Sequence, residues 1–219
     1  MSERILQVLA LAFLALTVVA GTLIKPHNAL EGRKDAALPM DLGKLLGDHP
    51  VFQIELARDE SDLCTVLNKG DWNKNLCDAR IGNELDTFLF IPGYSGLLLF
   101  LGLLVGRQVP QWRTAVSVIA LVVAPLIAIL DWLENAGITV ALNHFQASQT
   151  FLAGDAARIS NPSFVKWTLI ASLLLIYFLA LFANVRKISW AYRLIALAAL
   201  SSSGITFYTL VLYVIARVG

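Results

Sequence analysis

Long uncharged apolar runs, separated by short polar stretches, make up most of this chain. Five of them, Ile5 to Ile24, Thr87 to Val105, Thr114 to Leu133, Trp167 to Val185 and Leu194 to Ala216, have the length of a membrane-crossing helix. A hydrocarbon core of about 30 Å needs about 20 residues at a rise of about 1.5 Å each. The third run is broken only near its end, by Asp131. The first resembles a cleavable signal in having small residues before Gly21, but it follows a lone Arg4 and is longer than the roughly 7 to 15 apolar residues of a signal core, so a retained anchor is expected.

The stretch from Lys25 to Asp86 has a different rhythm. Lys25 to Pro50 is irregular, with a short apolar turn at Leu42, Leu45 and Leu46. From Val51 to Ala57, Phe52, Ile54 and Leu56 alternate with Gln53 and Glu55, the period of a half-buried strand. Asp59 or Ser61 is placed to cap a short helix through Leu63, Val66 and Leu67 that ends at Gly70, and a second helix is predicted from about Asp71 through Leu76 and Ile81 into the membrane. One strand and two short helices bury little apolar surface alone, so this small domain should rest on the ends of the spans.

Orientation follows from the short loops. Arg107 and Arg113 follow the second run, and Arg186, Lys187 and Arg193 follow the fourth, which places both loops in the cytoplasm. The N-terminus is then inside, and Lys25 to Asp86, Glu134 to Lys166 and the C-terminus are outside. Trp112, Trp190 and Tyr192 fall at the inner interface and Trp132, Trp167 and Tyr213 at the outer one, as aromatic belts do. Arg217 at the outer end goes against this arrangement.

Composition narrows the class. Of 219 residues 57% are hydrophobic and 15% charged, against roughly 25% charged in soluble domains, and the mean hydropathy is +0.68. A cytosolic globule is excluded. A net charge of +1 without a basic block speaks against a nucleic-acid partner. Twelve of the sixteen acidic residues lie between Lys25 and Asp86, so the water-facing part is acidic and suits a lipid headgroup or a protein partner at the outer face. Asn161-Pro162-Ser163 is blocked as a sequon by its proline. With no sequon there and no long basic leader, the chain is compatible with a bacterial plasma membrane.

Both cysteines, Cys64 and Cys77, lie in the segment read as extracytoplasmic, where an oxidising compartment favours their pairing; two buried free thiols are the alternative. The three histidines, His27, His49 and His144, are too scattered for a haem or histidine-rich iron centre, and no nucleotide, zinc-protease or nucleophile-elbow motif is present. No cofactor or metal is expected. No charge lies at mid-bilayer and no inverted repeat relates the spans, so transport is not supported.

The most informative feature is a shared depth. Measured from the cytoplasmic arginines at about 1.5 Å per residue, Asp86, Asp131 and Lys166 lie about 31, 27 and 30 Å away. Glu134 and Asn135 follow Asp131 on the same helical face. This polar stripe should face the bundle or the domain above it, since lipid exposure is costly. It can be read as a structural layer of ion pairs in the headgroup region. It can also be read as a pocket in which Asp131 or Glu134 acts as acid or base, with Lys166 as electrostatic partner. The sharpest version of the pocket is a metal site of Asp86, Asp131, Glu134 and His144, but the spacing matches no ligand pattern. Gly102 with Gly106, and Ser201, Ser202, Ser203, Gly204 and Thr206, suit close helix contact. Pro125, and Pro92 with Gly93, should distort their helices.

The run Phe52 to Ala57, Trp72, Asp86 with Phe88 and Tyr94, Asp131-x-x-Glu134-Asn135, and Lys166-Trp167 resembles, in the same order, an uncharacterised group of bacterial polytopic membrane proteins. The resemblance spans roughly residues 50 to 185. It implies a four-span core, to which the fifth span here is an addition, and one assembly of Glu55, Asp86, Asp131, Glu134, Asn135 and Lys166; it implies no activity. The expected architecture is an all-α integral membrane bundle of about five transmembrane helices, a four-helix core plus one, with a small extracytoplasmic domain between helices 1 and 2. The favoured function is non-catalytic binding or interaction; the alternative is a membrane-embedded enzyme acting on a lipid.

Overall fold

The computed structural model describes residues 1–28, 54, 55, 57, 59–67 and 71–218, and every regular element among them is helical. The chain order is α1 (Glu3–Asn28), α2 (Glu60–Leu67), α3 (Trp72–Leu85), a π-turn (Asp86–Phe90), α4 (Ile91–Gln108), a 3-10 turn (Pro110–Trp112), α5 (Arg113–Ser148), α6 (Asp155–Phe182) and α7 (Trp190–Val218). Among the described residues four helices are long and apolar enough to cross a membrane: Glu3–Lys25, Trp72–Gln108, Pro110–Ser148 and Asp155–Phe182. Their outward faces carry side chains such as Leu11, Val118, Val122 and Phe182, so the bundle presents hydrocarbon to its surroundings as a multi-pass membrane protein does.

Helices adjacent along the chain are adjacent in space: α4 packs on α5, α5 on α6 and α6 on α7, while α1 lies along α4. In lipid, close approach of backbones replaces the hydrophobic effect as the source of helix association. A Cβ on Gly102 would strike the Tyr177 hydroxyl and Ala120, and one on Gly96 would strike the Phe13 ring. Tyr177 is fully buried, and its hydroxyl donates to the Leu98 carbonyl at 2.9 Å. Of the hydroxyl run on α7, Ser203 is buried and donates to the Ala171 carbonyl of α6 at 2.9 Å, whereas Ser201 and Ser202 are exposed and Gly204 faces open space.

The spans do not stop where their apolar runs stop. With 36 residues, α5 is about 54 Å long, well beyond a hydrocarbon core. Its last four turns place Ile138, Ala141, Leu142 and Phe145 on one face, buried with Leu63 and Leu67 of α2, Leu76 of α3 and Ile159 of α6. This second core forms the roofed end of the bundle, where the short helices rest on the ends of the long ones. The region from Glu134 to Lys166, expected as a loop with helix extension, is therefore almost wholly helix. A tight turn over residues 149–154 joins α5 to α6, using the positive φ of Gln149 (55°) and Gly154 (94°). The carboxylate of Asp155 holds this turn by accepting from the Leu152 amide at 2.9 Å.

The Asp59 carboxylate accepts from the Asp62 amide at 3.0 Å at the start of α2, and Asp71 caps α3 through the amides of Asn73 and Lys74. The expected strand from Val51 to Ala57 is not formed where it can be judged: Ile54 and Glu55 have helical backbone, and Val51 to Gln53 and Leu56 lie outside the described residues, as does the turn at Leu42 to Leu46. The expected disulfide is also absent, and Cys64 and Cys77 are free thiols. Leu63 and Leu76 turn into the roofed core, so the next position on each helix, Cys64 half-buried and Cys77 exposed, turns away from it.

Pro92 explains the π-turn. It has no N–H for the Phe88 carbonyl, and its ring clashes with that carbonyl in a regular helix. One extra residue in the turn relieves both, and the Ile91 amide donates to the Asp86 carbonyl five residues back. Pro125 lies inside α5, whose helix continues past it.

Candidate functional site

Three chain segments bring one ammonium and three carboxylates together at the roofed end. Asp131 and Glu134 come from α5, with Asn135 on the same face one turn along; Ser163, Lys166 and Trp167 come from α6 with the same three-and-four spacing; Glu55 comes from above. Lys166 Nζ lies 2.6 Å from Asp131 Oδ1, 2.9 Å from Glu134 Oε2 and 3.6 Å from Glu55 Oε2. Exposure is 3% for Asp131, 0% for Glu134, 2% for Lys166 and 6% for Glu55, so all four are removed from water.

The remaining valences are filled unevenly. Tyr94 of α4 donates its hydroxyl to Asp131 Oδ2 at 2.6 Å. Trp167 Nε1 donates to Glu55 Oε2 at 3.0 Å, with Ser163 Oγ at 3.5 Å. Lys166 Nζ also stands 5.1 Å from the Trp167 ring centroid, within cation–π range. Among the described residues Glu134 has no partner other than Lys166 for either oxygen. Its Oε2 lies 2.9 Å from Lys166 Nζ, and Oε1 faces no donor among the described residues.

Asp86 bonds with Asn135, whose Nδ2 donates to Asp86 Oδ2 at 2.7 Å and to Thr87 Oγ1 at 2.9 Å. Asn83 then ties α3 to α5 by donating to the Asn135 carbonyl at 3.1 Å and to Thr139 Oγ1 at 3.0 Å. Lys166 with Asp131, Glu134 and Glu55 thus forms one ion-paired cluster, and Asp86 with Asn135, Thr87 and Asn83 forms a second, hydrogen-bonded group beside it. His144 joins neither group. Its Nδ1 lies 2.9 Å from Asp155 Oδ2 at the α5–α6 turn, and among the described residues no set of three or more His, Cys, Asp or Glu side chains is arranged to hold a metal ion.

No family model, curated protein or solved structure matches the chain.

Tyr94 and Trp167 stand in the run that carries the resemblance but not among the residues expected in the layer, and Asn83 and Ser163 stand in neither. Ser163, three residues before Lys166, carries a readable signal, because a polar side chain one turn away on the same face shares the same surroundings. Chemically, the layer is a closed electrostatic knot. Asp131 and Glu134 both contact Lys166 and all three are buried, so acid–base chemistry at these groups would require the site to open.

Proposed function

We propose that the chain is a non-catalytic binding or interaction protein of a bacterial plasma membrane, in which the Lys166 layer is a clamp and the acidic segment above it is the working surface. In this reading there are five spans, with α7 as the fifth, the N-terminus is cytoplasmic and the roofed end is extracytoplasmic. The observation that carries the proposal is the enclosure of Lys166 by Asp131, Glu134 and Glu55, one of which belongs to the segment between the first two spans. Removing one partner of a buried ion pair destabilises by about 3–5 kcal/mol, which suits a device that fixes the roof to the bundle. The competing role, acid–base chemistry on a lipid, needs at least one of these groups to touch its substrate.

The test is Asp131→Asn in the full chain. Its melting temperature in mild detergent should fall, while the lipid profile of membranes carrying wild type and variant stays the same. A lipid product made by wild type and lost in Asp131→Asn, at a temperature where both remain folded, would replace the clamp with an enzyme.

A further inference from the structure

At the end of the bundle opposite the roof, two short turns far apart in sequence are tied together by Asn184. The carbonyl of this buried residue closes the turn after α6, accepting from the amides of Lys187 at 2.8 Å and Ile188 at 3.2 Å. Its Oδ1 accepts from Gln111 Nε2 at 3.3 Å, and Gln111 belongs to the 3-10 turn that leads into α5. The turn carrying Arg186 and Lys187 is thereby held against the one that ends at Arg113.

The charge at this end is uncompensated. Arg113, Arg186 and Lys187 are exposed, as are Arg4 and Arg193 near them in the fold, and among the described residues none of the five pairs with a carboxylate. Glu3 is the one described carboxylate here, and its Oε1 is taken up by Gln7, Gln108 and Tyr192. All other described carboxylates lie within residues 55–86 and 131–155, toward the roof.

Apolar surface begins about one turn from these cations. Phe182 is exposed four residues before Arg186, and Val118 five residues after Arg113. Trp112, beside Arg113, is 52% exposed, and Trp190, three residues past Lys187, is 73% exposed; exposed tryptophans at the ends of spans settle at headgroup level. A soluble acidic partner would use the cations alone. An amphiphile with an anionic head uses the cations together with the hydrocarbon-facing surface next to them.

We propose that these two turns bind the phosphodiester of an anionic phospholipid from the surrounding bilayer, with Arg113, Arg186 and Lys187 around the phosphate and Trp112 and Trp190 against the start of its chains. The guanidinium groups offer paired N–H donors to phosphate oxygens, and Lys187 adds a third charge. Phosphatidylcholine has the same phosphate but brings a trimethylammonium that unpaired cations repel; phosphatidylglycerol brings none. The site lies at the end away from the clamp and does not rest on it.

The experiment uses the full-length protein in nanodiscs of equal dioleoyl phosphatidylglycerol and dioleoyl phosphatidylcholine, followed by native mass spectrometry of the lipid that stays bound. Wild type should retain phosphatidylglycerol over phosphatidylcholine by at least about tenfold, since each Lys or Arg near a membrane surface contributes about fivefold. Arg113→Gln, Arg186→Gln and Lys187→Gln combined should retain both lipids equally at an unchanged melting temperature, because all three side chains are exposed. Should the combined variant not fold, the single variants decide, each cutting the preference severalfold. Equal retention by wild type overturns the proposal, as does a preference that survives the substitutions. Wild type that shows no lipid preference but binds soluble polyglutamate in detergent would assign the turns to an acidic protein instead. The clamp is tested by the melting temperature of Asp131→Asn, which this site leaves untouched, so the two ideas fall separately.

Discussion

Replacing Lys166 with Met removes the one ammonium from a site holding three carboxylates and keeps nearly the same length of apolar stem. In the wild type Nζ stands 2.6, 2.9 and 3.6 Å from Asp131, Glu134 and Glu55. With the charge gone, these buried carboxylates face one another with Tyr94, Trp167 and Ser163 as their donors among the described residues. Loss of one partner from a buried ion pair costs about 3–5 kcal/mol, much of it the penalty of the charge left behind. For a chain of this size a change of 1 kcal/mol moves the melting temperature by about 2–4 °C, so Lys166→Met should melt roughly 10 °C or more below wild type. Thermal unfolding in one detergent, followed by tryptophan fluorescence, measures it. The same assay on Lys166→Met combined with Glu134→Gln should recover part of the loss, because the amide removes a buried charge that, without Lys166, has no partner among the described residues. A drop of under 1 kcal/mol for Lys166→Met, or no recovery in the double variant, would refute the view that this ammonium makes the buried carboxylates tolerable.

Gly102→Val should destabilise by about 1–3 kcal/mol by overpacking, because its side chain enters the space of Tyr177 and Ala120; the melting temperature reports it. Both cysteines should react with a maleimide without prior reduction, Cys77 faster than Cys64 in line with their exposure, and a chain that labels only after reduction would contradict the free thiols. Asp155→Ala removes the acceptor for the Leu152 amide and the partner of His144, and should raise hydrogen exchange over residues 149–154 while leaving the middle of the bundle protected.

The meeting of Asp131 with Lys166 was legible because the rise of a helix is fixed: counting residues from the arginines at one end of each span places both at a similar level without any knowledge of packing. The grouping of Asp131, Glu134 and Asn135 was legible from helical spacing. Glu55 was harder to place. Seven residues of alternating polarity fit a strand, and what sets the helical backbone at Ile54 and Glu55 is tertiary: Glu55 reaches Lys166, Trp167 and Ser163, all more than 100 positions away in sequence. The length of α5 was misread for a related reason. Hydropathy locates the membrane edge near Leu133, but the helix continues to Ser148 because Ile138, Ala141, Leu142 and Phe145 repeat at helical spacing against the roof. The disulfide expectation rested on two cysteines sharing a compartment, and the inward turn of Leu63 and Leu76 decided against it.

At the end of the bundle opposite the roof, Glu3 Oε1 lies 3.3 Å from both Gln108 Nε2 and the Tyr192 hydroxyl, and Arg107 donates to the Met1 carbonyl. Helix α1 therefore meets α7, made more than 160 residues later, at this end. Most of the bundle can assemble as it is synthesised, each new helix docking on its predecessor, but this junction has to wait until α7 arrives. Glu55 likewise stays solvated until α6 delivers Lys166. Biogenesis thus has two late closing steps, one at each end of the bundle, and a chain arrested before α6 would leave both undone.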